Sequence, residues 1–295
     1  MSTIVLGQVQ PSVSGVIETY FLSNNQLRGT KQTTTWAELH GRATKNWSAT
    51  WSGWDGGSFT GYDESYVRYE SNQLSARVGR LRTSFGFSDW SELFYTGINH
   101  TPLIREMNLV GNTALDRDDS GIEGTFNAGP LQVQASLVDT QLNRIQIGPN
   151  RVDHGTLTLQ YGLGDLILGA ELLAQNDFSQ KIYGLNARYT IPHWIFKGEY
   201  FAGVGPQSCT GGYIDANYRI PSKLRTEFIT RLEEIRAPGS DNPTVLTTFG
   251  MRQIFNKNFT ASLNYGWGNE LNHSFYATAA SVAGWSLRGM FQVQF

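Results

Sequence analysis

The segment Phe259-Thr-Ala-Ser-Leu-Asn-Tyr-Gly-Trp267 decides the fold class of this chain. Its odd-numbered residues are apolar, and its even-numbered residues are small or polar, so the pattern repeats every two residues. Successive side chains of a β-strand point to opposite faces, whereas an amphipathic helix would need a period near 3.6 residues. The segment therefore predicts a strand with one apolar and one polar face.

The same alternation recurs along the chain from residue 131 onward, for example in residues 131–137, 155–161 and 285–295. Short, turn-rich links occur at residues 44–46, 71–73, 127–130, 162–165, 191–193, 220–222 and 256–258. Between them lie mostly longer, polar links, near residues 22–32, 55–62, 84–118, 140–152, 175–180, 204–210, 236–243 and 268–282. This rhythm predicts one all-β domain over residues 1–295, an antiparallel up-and-down barrel of about 16 strands.

Composition excludes several classes of protein. Only 16% of the 295 residues are charged, against about 25% in typical soluble domains. No uninterrupted apolar run approaches the roughly 18 residues that a transmembrane helix needs. The net charge of −2 gives no basic surface for nucleic acid. Cys209 is the single cysteine, which excludes a disulfide framework.

The distribution of charge indicates which face of the strands meets water. From residue 131 the apolar faces carry essentially no charge, while the opposite faces carry residues such as Glu171, Asp215 and Arg231. A charged side chain at the bilayer midplane costs about 2–4 kcal/mol, and the lumen of a 16-strand barrel holds water. The apolar face is therefore expected to contact lipid. A large β-sandwich is the alternative, but it would not explain the alternation of short and long links.

Aromatic residues near strand ends fit the same membrane interpretation. Indole and phenol groups favour the wet boundary of a bilayer. The predicted interface aromatics are Trp194, Tyr200, Tyr218, Tyr265, Trp267 and Trp285.

Two short motifs carry a resemblance to a known family. The chain ends in Phe291-Gln-Val-Gln-Phe295, and Gly79-Arg-Leu-Arg-Thr-Ser-Phe-Gly86 leads into the longest link. With these motifs and the barrel pattern, the chain resembles the Gram-negative outer-membrane porins of the 16-stranded general type, with some similarity to phosphate-selective porins. The resemblance implies a homotrimer in the outer membrane that needs no cofactor. It also implies passive diffusion of small hydrophilic solutes and ions, and recognition of Phe295 by the barrel-insertion machinery.

In general porins the third external loop folds into the lumen, so the resemblance implies a constriction loop at about residues 84–118. Its charged residues are Asp89, Glu92, Arg105, Glu106, Asp116, Arg117, Asp118 and Asp119. The predicted pore wall carries Arg42, Arg68, Arg77, Arg80, Arg82, Arg188, Lys197, Arg219, Arg225, Arg231, Arg252 and Arg288. An acidic loop opposite a basic wall would create a transverse field that orients dipolar solutes. Alternatively, the loop carboxylates are solvated or cap local turns.

Two features of the predicted pore wall are left open by the sequence. If Leu74 and Val78 face outward, strict alternation turns Arg80 and Arg82 towards lipid, unless a bulge or a strand end above the membrane intervenes. Basic and acidic residues are mixed on the same strands, which predicts weak selectivity, with a slight preference for cations from the acidic residues of the loop at 84–118. The alternative is a substrate-selective pore of the anion or phosphate type.

Rival functions have weaker support in the sequence. An outer-membrane hydrolase would need a histidine beside a serine nucleophile. The one adjacent His–Ser pair is in Asn272-His-Ser274, within a loop-like stretch, and adjacent strand residues would point to opposite faces. An adhesion or structural barrel would need a plug domain or much larger loops. The sequence therefore predicts a pore that is not an enzyme and holds no metal.

Overall fold

A computed structural model describes residues 10–24, 30–56, 59–82, 85–87, 98, 102, 118–139, 152–175, 178–204, 210–223, 225–236, 242–269 and 284–295. The first eight strands in this part of the chain are β1 (Gln10–Asn24), β2 (Thr30–Arg42), β3 (Trp47–Gly56), β4 (Phe59–Glu70), β5 (Leu74–Arg82), β6 (Asp118–Ala128), β7 (Leu131–Asp139) and β8 (His154–Leu163). The remaining strands are β9 (Leu166–Gln175), β10 (Gln180–Ile191), β11 (Trp194–Val204), β12 (Thr210–Arg219), β13 (Thr226–Arg236), β14 (Thr244–Ile254), β15 (Phe259–Gly268) and β16 (Gly284–Gln294).

The strands close into one barrel. Each strand pairs antiparallel with its neighbours in sequence, and β1 pairs with β16. The predicted up-and-down barrel of 16 strands is therefore confirmed. In the described ranges, no helix is long and apolar enough to cross a membrane.

The barrel turns its apolar face outward. Leu185 and Ile214 are each 64% exposed, whereas the neighbouring Asn186 and Asp215 are 5% and 2% exposed. The same contrast holds around the circumference, where large apolar side chains are exposed and polar side chains are buried. A β-sandwich would bury the apolar face in its core, so the sandwich alternative is wrong. The outer surface is suited to lipid, and the interior is polar.

The predicted interface aromatics lie on this outer surface. At the short-turn end, the rings of Trp194 and Tyr218 are 4.7 Å apart between centroids. At the long-link end, Trp267 and Trp285 face each other as cross-strand partners. Tyr200 and Tyr265 also face outward but lie further from the ends of their strands.

The last residue of the chain completes the barrel wall. The N–H of Phe295 donates to the carbonyl oxygen of Gly15, and the N–H of Gly15 donates to the carbonyl oxygen of Phe295, both at 3.1 Å. A methyl group on Gly15 would lie 2.6 Å from Cζ of Phe295 and 2.6 Å from the carbonyl oxygen of Trp36. Gly15 thus lets the chain terminus approach β1 closely.

Replacing this glycine should weaken the closure. We expect Gly15→Ala to lower the free energy of unfolding by about 1–3 kcal/mol, because the methyl group overpacks the contact between β1 and Phe295. Gly124→Ala is the matched control, since a methyl group there meets nothing within 4 Å. Urea unfolding in detergent micelles, followed by tryptophan fluorescence, measures both. Equal stability of the two variants would contradict this role for Gly15.

Candidate functional site: the inner wall of the barrel

Three predicted wall arginines lie in one row across the inner face of β2–β5. Arg42 pairs with Ser48, Ser48 with Arg68, and Arg68 with Arg77. Directly opposed like charges on neighbouring strands are destabilising. Arg77 is compensated by Glu123 at 2.6 Å and by Glu64 at 3.3 Å. The row is therefore a basic strip with acidic partners at its β5 end.

Arg77 also holds the end of β5. Its guanidinium donates to the carbonyl oxygen of Arg82 at 2.9 Å, and it lies 5.2 Å above the ring of Tyr66. Oε1 of Glu64 accepts from the N–H of Arg82 at 2.9 Å. Both backbone groups of Arg82 are thus bound by this cluster. The longest link of the chain begins immediately after this anchored residue.

Arg68 is less compensated than Arg77. Its nearest carboxylate in the described part of the chain is Glu70, at 3.5 Å, and the two side chains are 38% and 51% exposed. Within the same residues, its Nε is buried without a hydrogen-bond partner. An ion pair this exposed contributes little stability. The solvent-facing part of the row is therefore basic.

The charges on β11–β13 are balanced by close pairing. Asp215 accepts from Arg231 through both carboxylate oxygens, at 2.7 and 2.8 Å, and lies 3.5 Å from Lys197. The Tyr213 ring faces both cations, at 4.9 Å from Arg231 and 5.8 Å from Lys197. Arg231 is only 1% exposed. These side chains stabilise one another, so this part of the wall offers little free charge.

Two residues beyond β5 contact the inner face of β11. The rings of Phe85 and Phe201 stack with their centroids 5.0 Å apart, and the N–H of Phe87 donates to the carboxylate of Glu199. Phe85 and Phe201 belong to a buried apolar cluster with Leu173, Ile182, Tyr213, Ile235 and Leu246. In the closed order, β11 lies six strands from β5. Three residues from Arg82 to Phe85 span at most about 10 Å, so the chain contacts the inner face of β11 within three residues of the end of β5.

No family model and no curated protein matches the sequence. Solved structures do match the fold. The anion-selective porin of Comamonas acidovorans aligns with a TM-score of 0.72 and 13% identity, over 98% of this chain and 100% of that one. A mutant of the Rh. blastica porin aligns with a TM-score of 0.70 and 13% identity, over 97% and 100% of the two chains.

A third match is OmpT, an outer membrane protein of Vibrio cholerae, in its trimer form. It has a TM-score of 0.66 and 12% identity, over 97% of this chain and 99% of that chain. The fold is that of the outer-membrane porins. Together with the apolar outer face, it describes a multi-pass barrel whose outer surface is suited to a lipid bilayer. Identities this low establish the fold and leave solute and selectivity to the residues of this chain.

Within this porin fold, part of the predicted constriction falls outside the described residues. These are Asp89, Glu92, Arg105, Glu106, Asp116 and Arg117. Asp118 and Asp119 begin β6, and their side chains also lie outside the description. Their predicted roles in the pore remain predictions.

Two predicted wall residues lie elsewhere. Arg225 is in the turn between β12 and β13, with φ of 48°, and not on a strand. Arg80 pairs with the exposed Ser65 and lies two residues after the outward-facing Val78, and the next residue, Leu81, is fully buried. Alternation therefore continues to the end of β5, and Arg80 lies on the outer face near the long-link end. Its inward placement was wrong because the strand has no bulge there that reverses its faces.

The other wall residues are distributed as follows. Arg82, the last residue of β5, is half-buried and shares the outward alternation of Val78 and Arg80. Arg188 and Arg219 are exposed near the short-turn end, and Lys197, Arg252 and Arg288 are largely buried on the inner face. Glu227 accepts from Arg219 at 2.5 Å and lies 3.7 Å from Arg252.

The sequence reading missed Glu64, Glu123, Phe85, Phe201 and the role of Glu199. Periodicity identifies the face of a strand but does not identify the partner of a side chain on another strand. Phe201, which continues the inward alternation of Lys197 and Glu199 on β11, was one available signal.

The Asp215 cluster makes a stability prediction. We expect Asp215→Ala to lower the free energy of unfolding by about 3–5 kcal/mol, because it leaves Arg231 buried without its carboxylate partner. Glu234→Ala is the control, since its pair with Arg236 is more than half exposed, and such pairs contribute at most about 1 kcal/mol. Urea midpoints in micelles compare the two. If Asp215→Ala lowers the free energy of unfolding no more than Glu234→Ala does, the cluster does not contribute the stability expected of it.

Proposed function

We propose that the protein is a diffusion porin, a water-filled channel for small hydrophilic solutes and ions across the outer membrane. The observation that carries this proposal is the closed 16-strand barrel with an apolar outer face and a charged inner face. Such an interior hydrates polar solutes and excludes apolar ones. The named porins among the similar structures support the same function.

The constriction in this proposal is the link of residues 84–118, folded across the lumen. The contacts of Phe85 with Phe201 and of Phe87 with Glu199 support this path, because both partners are on the inner face of β11. The acidic residues of the link then lie within the field of the arginine row on β2–β5. Opposed charges across a narrow pore orient dipolar solutes and ions.

Weak selectivity follows from the close pairing of most wall charges, and a slight preference for cations is expected from the acidic residues of the link. Asp215 neutralises its cationic neighbours, and Glu123 and Glu64 neutralise Arg77. An anion-selective pore is the second candidate, favoured by the less compensated Arg68 in the arginine row. One of the similar structures is described as an anion-selective porin. The two candidates differ in the sign and size of the reversal potential.

No catalytic role is part of this proposal. The His273–Ser274 pair lies outside the described residues. In the described part of the chain, no cluster of three or more histidine, cysteine or carboxylate residues could hold a metal ion. A hydrolase would need a nucleophile and base within hydrogen-bond reach. The pore interpretation depends on the polar interior of the barrel. A catalytic site on the outer face would not need such an interior.

The working assembly in this proposal is a homotrimer that uses the outer face of β1–β4. This face carries hydroxyl groups at Thr19, Thr33, Thr35 and Ser65, and the Thr19 and Thr33 hydroxyl oxygens are 3.2 Å apart. Between membrane helices, small and hydroxyl-bearing residues mark the faces that contact other segments, and we infer the same use for this barrel face. The trimer form of the Vibrio cholerae protein supports the same assembly.

Planar-bilayer recording tests the function. We expect stepwise, steady conductance and a small reversal potential of cationic sign across a salt gradient. Arg68→Gln should shift that potential further towards cations, because it removes the less compensated arginine of the row. Arg236→Gln, which removes the same charge from the outer face, is the control. No conductance from folded protein would refute the pore, and a strong anion preference would replace weak selectivity with the second candidate.

The position of the constriction link has its own test. Glu199→Gln combined with Phe201→Leu removes the carboxylate and the stacked ring that hold Phe87 and Phe85. We expect a larger and noisier open-channel current, because the link is released from β11. Glu227→Gln combined with Ile229→Leu alters the same spacing of inward residues on β13 and should leave the current noise unchanged. If the two double variants conduct alike, the link is not held by these contacts.

A further inference from the structure

The end of the barrel with the short turns is rich in positive charge. We define the short-turn mouth as the turns that join each even-numbered strand to the next, from β2–β3 to β14–β15, with the four strand residues on either side. Its acidic residues are Glu70, Asp165 and Glu227, and its basic residues are Arg42, Lys45, Arg68, Arg77, Arg188, Lys197, Arg219, Lys223, Arg225, Arg252 and Lys257. The mouth thus holds 11 of the 23 basic residues of the chain but only 3 of the 25 acidic ones.

Six of these cations are not neutralised by a carboxylate. Within the described residues the six have no ion pair, and all are exposed: Arg42, Lys45, Arg188, Lys223, Arg225 and Lys257. The other basic residues of the mouth each lie within 3.7 Å of a carboxylate oxygen. Of its three acidic residues, Asp165 alone has no ion pair in the same part of the chain. The mouth therefore carries positive charge that its own carboxylates do not cancel.

Two of the unpaired cations lie on opposite sides of the lumen. Arg42 is the last residue of β2 and lies in the inward-facing arginine row. Arg188 continues the inward alternation of Asn186 on β10 and is exposed. In the closed order of 16 strands, β2 and β10 are eight strands apart, which is half the circumference. An anion that enters between these two strands is therefore attracted from both sides.

The positive field is concentrated at this end of the channel. Charges act over about 10 Å in 0.1 M salt, and a group of like charges beside a low-dielectric wall raises the local concentration of counter-ions. The attraction grows with the charge of the ion, so multivalent anions gain most. Deeper in the lumen, Glu123 and Asp215 neutralise the neighbouring cations. The unpaired cations of the mouth are thus the part of this wall that an anion meets first.

We propose that the short-turn mouth is a binding site for multivalent anions, such as phosphorylated or polycarboxylate solutes, that approach the channel from that side. Short turns of bacterial outer-membrane barrels face the periplasm, so the site acts on anions of that compartment. Weak selectivity among small ions is compatible with this site, because a reversal potential depends on the whole path, including the acidic link. The sided entry of anions rests on the proposed pore, whereas their binding requires only the folded barrel.

Planar-bilayer recording in about 0.1 M KCl, with pyrophosphate added to one chamber and then to the other, tests the sidedness. We expect half-block of the current at a concentration about tenfold lower from the side of the short-turn mouth. Arg42→Gln combined with Arg188→Gln should reduce this difference to about twofold. Lys181→Gln combined with Arg236→Gln is the matched control, because it removes the same charge from exposed residues at the long-link ends of β10 and β13. About 1 M KCl, in which charges act over only about 3 Å, should remove the difference.

A second measurement does not require conduction. In micelles of a maltoside detergent, which contains no phosphate, bound pyrophosphate gives a broadened phosphorus-31 NMR line. We expect the wild type and the control variant to broaden this line equally, and Arg42→Gln combined with Arg188→Gln to broaden it about threefold less. Migration of unheated samples on a gel confirms that the variants fold.

The outcomes separate this site from the proposed pore. Steady conductance with equal block from both chambers overturns the anion site and leaves the porin proposal intact. Line broadening that depends on Arg42 and Arg188, in a protein that does not conduct, supports the site and refutes the pore. The site is also overturned if the two double variants behave alike, or if the difference between the chambers persists at high salt, since pore shape rather than charge would then cause it.

Discussion

The requirement that every backbone polar group be paired inside a membrane governs this structure. Lipid offers no hydrogen-bond partners, so a sheet that crosses a bilayer cannot leave an open edge. Here the edges are removed by the pairing of β1 with β16, which extends to the last residue through the two hydrogen bonds between Phe295 and Gly15. The remaining features follow from closure. The circumference defines a lumen, and alternation assigns each strand residue to lipid or to the interior.

Once the barrel is closed, the interior must accommodate its own charges. It does so in two ways on the two sides of the lumen. On β11–β13, Asp215 binds two cations and leaves Arg231 almost fully buried. On β2–β5, the arginine row stays partly exposed at Arg68 and Arg42. A buried ion pair needs both partners to offset desolvation, so the charges of the first side are neutralised within the wall, whereas the arginine row on the second side stays partly open to solvent.

Much of the fold was predictable because the residues of a barrel strand alternate between apolar positions that face outward and polar positions that face the interior. Leu263 and Tyr265 face outward and Ser262 and Asn264 inward, as the opening segment predicts. The aromatic residues at strand ends were predictable for a similar reason, since their depth follows from their place in the strand. Alternation even anticipated that Arg80 would turn towards the outer face. Assigning Arg80 to the pore wall set that rule aside, and the register of β5 with β4 and β6 shows that the rule holds.

The sequence by itself determined the all-β class, a strand number of about 16 and the face that most strand residues present, because these depend on local alternation and link length. Only the tertiary structure decided which side chains meet across strands. Two examples are the hydrogen bonds of Arg77 and Glu64 to the backbone of Arg82, and the contact of Phe85 with Phe201, six strands away. Both depend on strand register and on the curvature of the closed wall. Residues far apart in the chain become neighbours only when the barrel closes, and a local sequence pattern does not predict contacts between distant strands.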